Sequence, residues 1–278
     1  MKIGVICVSS MGKQYSKFEL YEASVQDSDF ELDFFQRVYK NSFGKKPISI
    51  REDFCSTFLN SVTWVKRHKD NVALAVDINP IPLDYGKKKH LKTMTWEQQE
   101  RLHLFQANVL NIKTRPVDLI TVSNFSIFFL KERQKMLDYF KNCHATLKNK
   151  GAMIFDILGG EELPQSVEDV TDFKLEDGTK AKYYWEHVKF NPITNEGLFY
   201  IHYKVQGQKK LKRVFSYDWR IWSIPELRDL LLEAGFDDVN VYWEGDATRG
   251  DGGNGVFSKV TKAPSCPIWL AYVVGIKK

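Results

Sequence analysis

The sequence predicts an α/β protein: a doubly wound, mostly parallel sheet with a helical cover before it and a small antiparallel β insertion within it. Three observations predict this. Short apolar runs at 48–51, 72–76 ("VALAV"), 117–122 ("VDLITV") and 152–157 ("AMIFDI") are separated by segments with helical spacing. Such runs interleaved with helices read as βαβ units, hence a parallel sheet buried on both faces. Residues 181–190, 197–206 and 211–221 are instead aromatic-rich and β-prone, and are split by the turn signals "NPITNEG" and "QGQKK". That pattern predicts three antiparallel strands. Finally, 278 residues that are 43% hydrophobic, with 19 Phe, 12 Tyr and 7 Trp, can bury the core of one large domain with an insertion, or of two small ones.

The elements follow in order. "KIGVICVSSM" has a charge and a short apolar stretch but no small-residue cleavage site, so it reads as a strand-like arm rather than a signal peptide, and Met11 offers an alternative start. Residues 16–43 carry apolar side chains at helical spacing, with Asp27 and Ser28 as N-cap candidates, and predict cover helices. Helices are expected over 56–69, 80–90 and 131–147, with a further strand in "LHLFQANV" at 102–109. After Gly159 and Gly160 comes the insertion. "SIPELRDLLLEAGF" then predicts a helix with Ser223 as N-cap, Pro225 in the first turn and Gly235 at the end. Strands follow at 238–243 and 267–276. Between them "RGDGGNG" (249–255) lacks the Lys-Ser/Thr of a phosphate loop, and is either a flexible connection or a mobile edge over the site. The implied organisation is 1–46 arm and cover, 47–160 core, 161–222 insertion, and 223–278 completing the core.

Composition excludes several function classes. The 40 Lys+Arg exceed the 35 Asp+Glu by only 5, and the basic runs at 66–69, 87–92 and 208–213 are scattered, which disfavours a nucleic-acid groove. Cys7, Cys55, Cys143 and Cys266 form no C-x-x-C pair, and the six histidines form no H-x-H or H-E-x-x-H, so neither a disulfide framework nor a metal is expected. A reducing, cytoplasmic setting is the simple reading. No run approaches the roughly 18 apolar residues that a membrane span needs.

The chemistry points to "ISIREDFCST" (48–57), where a strand runs into Glu52 and Asp53. In a doubly wound sheet, ligands sit at the carboxyl ends of the strands. The second strand ends "AVDIN", which places Asp77 where an acid can accept both hydroxyls of a ribose. Carboxylates beside a first turn that lacks the three-glycine fingerprint would repel a pyrophosphate and suit a cationic nucleoside. Each acid also has a plainer use, since Asp77 or one of the Glu52/Asp53 pair can cap a helix.

"REDFCST" (51–57), "AVDINPIPLDYG" (75–86), "SNFSIFFLKER" (123–133), "LKNKGAMIFDILGG" (147–160), "YDWRIWSIPELRDLLLEAGF" (217–236) and "VYWEG" (241–245) together resemble a class I S-adenosylmethionine-dependent methyltransferase. More narrowly, they resemble the subgroup whose first motif reads R-E-D-F-C-G-T. The resemblance implies a Rossmann-like sheet with an antiparallel last strand and S-adenosyl-L-methionine as cofactor. It places Glu52 near the methionine moiety, Asp77 on the ribose, Asn108 on the adenine, and Asn124 and Phe125 beside the transferred methyl. Arg51, Asp53, Phe54, Cys55, Thr57, Ile78 and Val109 complete the implied cofactor site. Ser56 stands for the subgroup's Gly and Phe54 for the general family's first Gly, which leaves the backbone less room near the cofactor.

Methyl transfer from a sulfonium needs mainly in-line positioning and exclusion of water, with a base only if the nucleophile is protonated. Asn124, His187 and Arg220 are the catalytic candidates. Tyr21, Gln26, Trp185, His202, Tyr217, Arg220 and Trp222 are the substrate candidates, Arg220 either as a carboxylate anchor or paired internally with Asp218 or Glu244. No "[DNS]-P-P-[YFW]" follows the fourth strand and no Pro-Cys nucleophile occurs, which, with the dispersed charge, leaves a small molecule or a protein side chain ahead of nucleic acid as acceptor; a small molecule is the expected one. The expected function is methyl transfer. The rivals are a non-catalytic binding or interaction protein on the same fold, and a nicotinamide-dependent oxidoreductase, which the missing three-glycine turn disfavours.

Overall fold

Alternation within the apolar runs builds the centre of the molecule. In β4 (Val117–Val122), Ile120 and Val122 pack into one core while Leu119 packs into the other. In β5 (Leu147–Gly159), Met153, Phe155 and Ile157 take the first side, and Ala152 and Ile154 the second. Successive side chains of a strand point to opposite faces, so a run that is apolar throughout needs cover on both. Phe155 alone, fully buried, contributes about 2–3 kcal/mol.

The computed structural model describes residues 13–246 and 253–278. β1 (Ser49–Asp53), β2 (Val72–Asp77) and β3 (Leu102–Gln106) join β4 and β5 in a parallel array. The eight-stranded sheet runs β11-β10-β12-β5-β4-β1-β2-β3, with β10 (Asp238–Asp246), β11 (Gly253–Val260) and β12 (Trp269–Lys277) antiparallel to their neighbours. The strand order reverses at the β1/β4 pair, the place where doubly wound sheets open a crevice. The predicted fold class is therefore the observed one.

Helices cover both faces. α1 (Lys17–Val25) leads into α2 (Ser28–Phe43), whose N-cap is Asp27 and whose end is closed by Gly44 at φ +70°. α2 buries Leu32, Phe35 and Val38 with Trp64 of α3 (Leu59–Arg67) and Leu83 of α4 (Pro80–Lys89) in the second core. A short α5 (Trp96–Gln99) precedes β3. On the opposite face lie α6 (Arg133–Thr146) and α7 (Ile224–Glu233), the latter opened by a Ser223/Glu226 capping box with Pro225 in its first turn.

The insertion is a four-stranded antiparallel sheet, β6-β7-β8-β9, rather than the three strands expected. β7 (Lys180–Asn191), β8 (Glu196–Val205) and β9 (Leu211–Arg220) match the aromatic runs. The extra edge strand β6 (Glu168–Lys174) is polar and almost wholly exposed, so it carries no hydrophobic alternation to read. β11 was also unexpected: its first residues are the glycine-rich 253–255, and it pairs with β10. The N-terminal arm and the rest of "RGDGGNG" lie outside the described residues. Among the described residues no helix is long and apolar enough to cross a membrane, and Cys55, Cys143 and Cys266 are free thiols.

Candidate active site at the carboxyl edge of the sheet

The first turn is strained. Phe54, Ser56 and Phe58 have φ of 55°, 50° and 52°, so α3 begins only at Leu59, three residues later than expected. The left-handed region costs a residue with a Cβ about 1–2 kcal/mol, and such strain gathers at functional sites. Hydrogen bonds from the neighbouring strand hold the turn: Ser56 N donates to Asp77 Oδ2 at 2.8 Å, and Cys55 N donates to Val76 O at 3.0 Å. Asn79 N donates to Asp77 Oδ1 at 2.8 Å. Burial raises the Asp77 carboxyl above its ordinary range, against these bonds. Gly86 of α4 has no space for a Cβ, which would lie 2.4 Å from Thr57 O, so helix and turn are in contact. Because glycine relieves the φ strain while costing chain entropy, Ser56→Gly is expected to stabilise the fold by about 0.5–1 kcal/mol, measured by urea denaturation.

The two acids of "REDF" face inward. Glu52 is 4% exposed and accepts from Ser61 N at 2.9 Å and from Ser61 Oγ, so it caps α3 from the strand below. Asp53 and Arg51 are fully buried and paired bidentately, Nε to Oδ1 and Nη2 to Oδ2, both at 2.8 Å. Tyr139 Oη donates to Asp53 Oδ2, and Arg51 Nη1 donates to Thr146. Arg51 and Asp53 thus have their polar atoms committed to one another and to α6, a correction to their expected place on a ligand.

A second strained turn follows β4, where Asn124 and Phe125 have φ of 56° and 57°. Their N–H groups donate to Asp156 Oδ2 and Oδ1, each at 2.9 Å. One carboxylate at the end of the central run of β5 therefore straps the turn after β4.

Beside this turn a cavity of about 450 Å³ opens between the two sheets. Asn124, Phe125 and Asp156 form its floor. Leu270 and Tyr272 of β12, with Phe257 of β11, close one side. Tyr21, Val25, Asp27 and Glu31 of the cover helices close another. The inner face of the insertion supplies Tyr183, Trp185, Ile201, Tyr217 and Trp219 as the roof. Tyr217 and Trp219 lie 4.5 Å apart between ring centroids, and Trp185 is 5.8 and 5.7 Å from them.

Burial controls the acids here. It pushes Glu31 up to about 7, and Glu52 and Asp156 each to about 8. Between the ordinary carboxylate range and these values the folded chain holds protons that the unfolded chain has released, so stability falls as pH rises. His103, His144 and His187 are depressed by burial and act in the opposite sense, but only below their ordinary value. The unfolding free energy of the ligand-free protein, and the thermal midpoint with it, is therefore expected to fall between about pH 6.5 and 8.5, each acid contributing up to about 1.4 kcal/mol per pH unit until it has titrated in the folded chain. Scanning fluorimetry across that range checks this.

Of the expected residues, Tyr21, Asn124, Phe125, Trp185 and Tyr217 line the cavity. Gln26 lies in an adjoining groove beside Leu59 and Thr63, its Oε1 buried with no partner among the described residues. Asp77 and the exposed Ile78 and Asn108 stand along the ends of β2 and β3. Asn108 Oδ1 accepts from Leu110 N, a local turn that ends β3 at Gln106 rather than at the expected 109. Cys55, Thr57 and Val109 are buried.

Four expectations are corrected. Arg220 neither anchors a carboxylate in the cavity nor pairs with Asp218 or Glu244: it donates to Glu226 Oε1 and Lys131 O, each at 3.0 Å, and stacks on Trp222. Trp222 is a core residue whose Nε1 donates to Leu130 O. His202 packs with its Nε2 2.7 Å from Glu186 Oε2 and accepts from Arg213 N, on the face of β8 opposite the cavity-lining Ile201. Glu168 joins that cluster, but Lys210 Nζ pairs with it at 2.8 Å. His187 is buried edge-on against Trp185 and Phe199. The sequence reading missed Asp156 and Glu31. Asp156 is a lone acid inside "AMIFDILGG", and Glu31 shares the apolar face of α2 with Phe34, Phe35 and Val38; an acid amid apolar side chains was the available signal.

Solved structures share this architecture. One is an S-adenosylmethionine-dependent methyltransferase from Clostridium acetobutylicum, at 19% identity and TM-score 0.59, covering 90% of this chain and 91% of that one. The fold is that of the class I S-adenosylmethionine-dependent methyltransferases. The sugar N-methyltransferase KedS8 from Streptoalloteichus aligns over 100% of this chain and 99% of its own at 13% identity and TM-score 0.65. CalS10, an amino pentose methyltransferase from Micromonospora echinaspora solved with S-adenosylmethionine bound, aligns over 95% and 98% at 11% identity and TM-score 0.67. No family model matches the sequence, nor does any curated protein.

Proposed function

We propose that the chain is an S-adenosylmethionine-dependent methyltransferase that transfers a methyl group to a small-molecule acceptor by in-line displacement. The observation that carries this reading is the juxtaposition, at the strand-order reversal, of two strained turns with Asp77 on one side and an aromatic cavity on the other. The residues fit the cofactor. Asp77 keeps lone pairs for ribose hydroxyls, Ile78 is 65% exposed and offers an apolar face to adenine, and Asn108 stands exposed at the end of β3 for the base edge. "REDFCST" is read as the first motif of the R-E-D-F-C-G-T subgroup. Its contribution is the turn 54–58 and the Glu52 cap beneath it, since Arg51 and Asp53 are internally paired.

The cofactor supplies a methyl group already activated as a sulfonium. The protein's part is position and dryness: Asp156 fixes the Asn124–Phe125 turn at the cavity floor, and the roof of the insertion excludes water. The compartment proposed is the cytoplasm, in keeping with the free thiols of Cys55, Cys143 and Cys266 among the described residues. Incubating the protein with trideuteromethyl-labelled S-adenosylmethionine and a cell extract freed of macromolecules tests the reading. Label in a small-molecule product is expected; label confined to added protein or nucleic acid, or to neither, would sink it.

A further inference from the structure

Among the described residues, the cavity is lined by four carboxylates, Asp27, Glu31, Asp156 and Glu244, and by no lysine, arginine or histidine. The roof turns three packed rings, Trp185, Tyr217 and Trp219, toward the same space. Aromatic faces and carboxylates around a desolvated volume attract a cation and repel an anion. The four acids are not equivalent. Asp156 has both oxygens engaged by the Asn124 and Phe125 amides, which makes it a positioning residue. Asp27 is exposed and caps α2 through Phe30 N. Glu244 accepts from Gly255 N at 2.9 Å. Glu31 is 6% exposed, and its Oε2 accepts from Asn60 Nδ2 and Ser123 Oγ. Its Oε1 has no hydrogen-bond partner among the described residues. A buried carboxylate with one oxygen held and the other uncommitted is built for a donor that the protein does not supply.

We propose that the methyl acceptor is an amine on a small molecule, bound in this cavity as an ammonium ion whose proton Glu31 removes; this rests on the methyltransferase reading above. Glu31 Oε1 takes one N–H proton from the ammonium, freeing the nitrogen lone pair. That pair forms the new N–C bond as the methyl–sulfur bond breaks, and the broken bond's electrons stay on sulfur, which becomes a neutral thioether. The acceptor leaves as its methylated ammonium. Burial, with Asp27 adding to it, holds Glu31 at about 7, near the range in which an acid–base group works best. Its other ionisable neighbours are Glu52 from β1, Asp156 from β5, Glu244 from β10 and the Tyr272 phenol from β12.

Choline and its neutral isostere, in which carbon replaces the quaternary nitrogen, test the recognition without requiring turnover; neither is offered as the substrate. Calorimetry is run on the protein saturated with S-adenosylhomocysteine. Choline is expected to bind roughly tenfold more tightly than the isostere, and Glu31→Gln to reduce that preference to within about threefold. At about pH 6, choline binding to the wild type is expected to release a proton, seen as a dependence of the heat on buffer ionisation, and Glu31→Gln to remove that dependence. Unchanged S-adenosylhomocysteine affinity shows that the variant is folded. Equal binding of the two probes, or a preference that survives Glu31→Gln, would overturn the inference and leave the methyltransferase reading standing. A loss of S-adenosylhomocysteine affinity beyond tenfold in Glu31→Gln would also overturn it, by placing Glu31 on the cofactor. Failure of the wild type to bind S-adenosylhomocysteine would remove the methyltransferase reading and the inference with it.

Discussion

Asp77→Ala is expected to weaken S-adenosylhomocysteine binding by about 100-fold or more, equivalent to about 2.7 kcal/mol. The carboxylate has two tasks. It holds the first turn by accepting from Ser56 N, and it holds the start of the next connection by accepting from Asn79 N. Each oxygen keeps a lone pair, and a ribose diol supplies two donors. Hydrogen bonds to a charged group contribute about 1.5–3 kcal/mol each, so losing the ribose pair alone accounts for the expected effect. Asp77→Asn keeps one acceptor and is expected to fall between the wild type and Asp77→Ala. Calorimetric titration of the three proteins decides the matter. An affinity for Asp77→Ala within about threefold of the wild type would remove Asp77 from the site.

The largest effect on stability is expected at Arg51 and Asp53. Breaking a fully buried pair strands a charge, at a cost of about 3–5 kcal/mol. Arg51→Met leaves the Asp53 carboxylate, among the described residues, with the Tyr139 hydroxyl and the weak Cys143 thiol as its side-chain donors. Replacing both members removes both charges, so Arg51→Met combined with Asp53→Leu is expected to cost far less than Arg51→Met alone. Urea denaturation measures the cycle. A single substitution no more costly than the double would show that the pair is not closed to water. S-adenosylhomocysteine binding to the folded fraction is expected to persist in both, because the polar atoms of both side chains are committed to one another and to α6.

The sheet was legible because its code is local. "VALAV" is apolar throughout, and "VDLITV" apolar at four of its six positions, since both faces are covered, and "SIPELRDLLLEAGF" carries its cap, its proline and its glycine within thirteen consecutive positions. β6 was not legible because an exposed edge strand buries nothing, and β11 because its opening glycines resemble a linker. Asp77 could be placed at the end of its strand by counting along a βαβ unit, whereas the fate of Arg51 depended on Thr146 and Tyr139, about ninety residues away in α6. The roles of Arg220 and Trp222 turned on the carbonyls of Lys131 and Leu130, a long-range pairing that no spacing encodes. The strain at Phe54, Ser56, Asn124 and Phe125 was hidden for another reason: residues with a Cβ rarely occupy the left-handed region, so nothing in their identity announces it.

One measurement bears most directly on the account: calorimetric titration of the wild-type protein with S-adenosylmethionine and S-adenosylhomocysteine, with NAD as the control. Micromolar binding of both sulfur compounds and no response to NAD is the predicted result. Absence of binding to either, or binding of NAD in their place, would contradict the assignment of the carboxyl edge as a methyl-donor site.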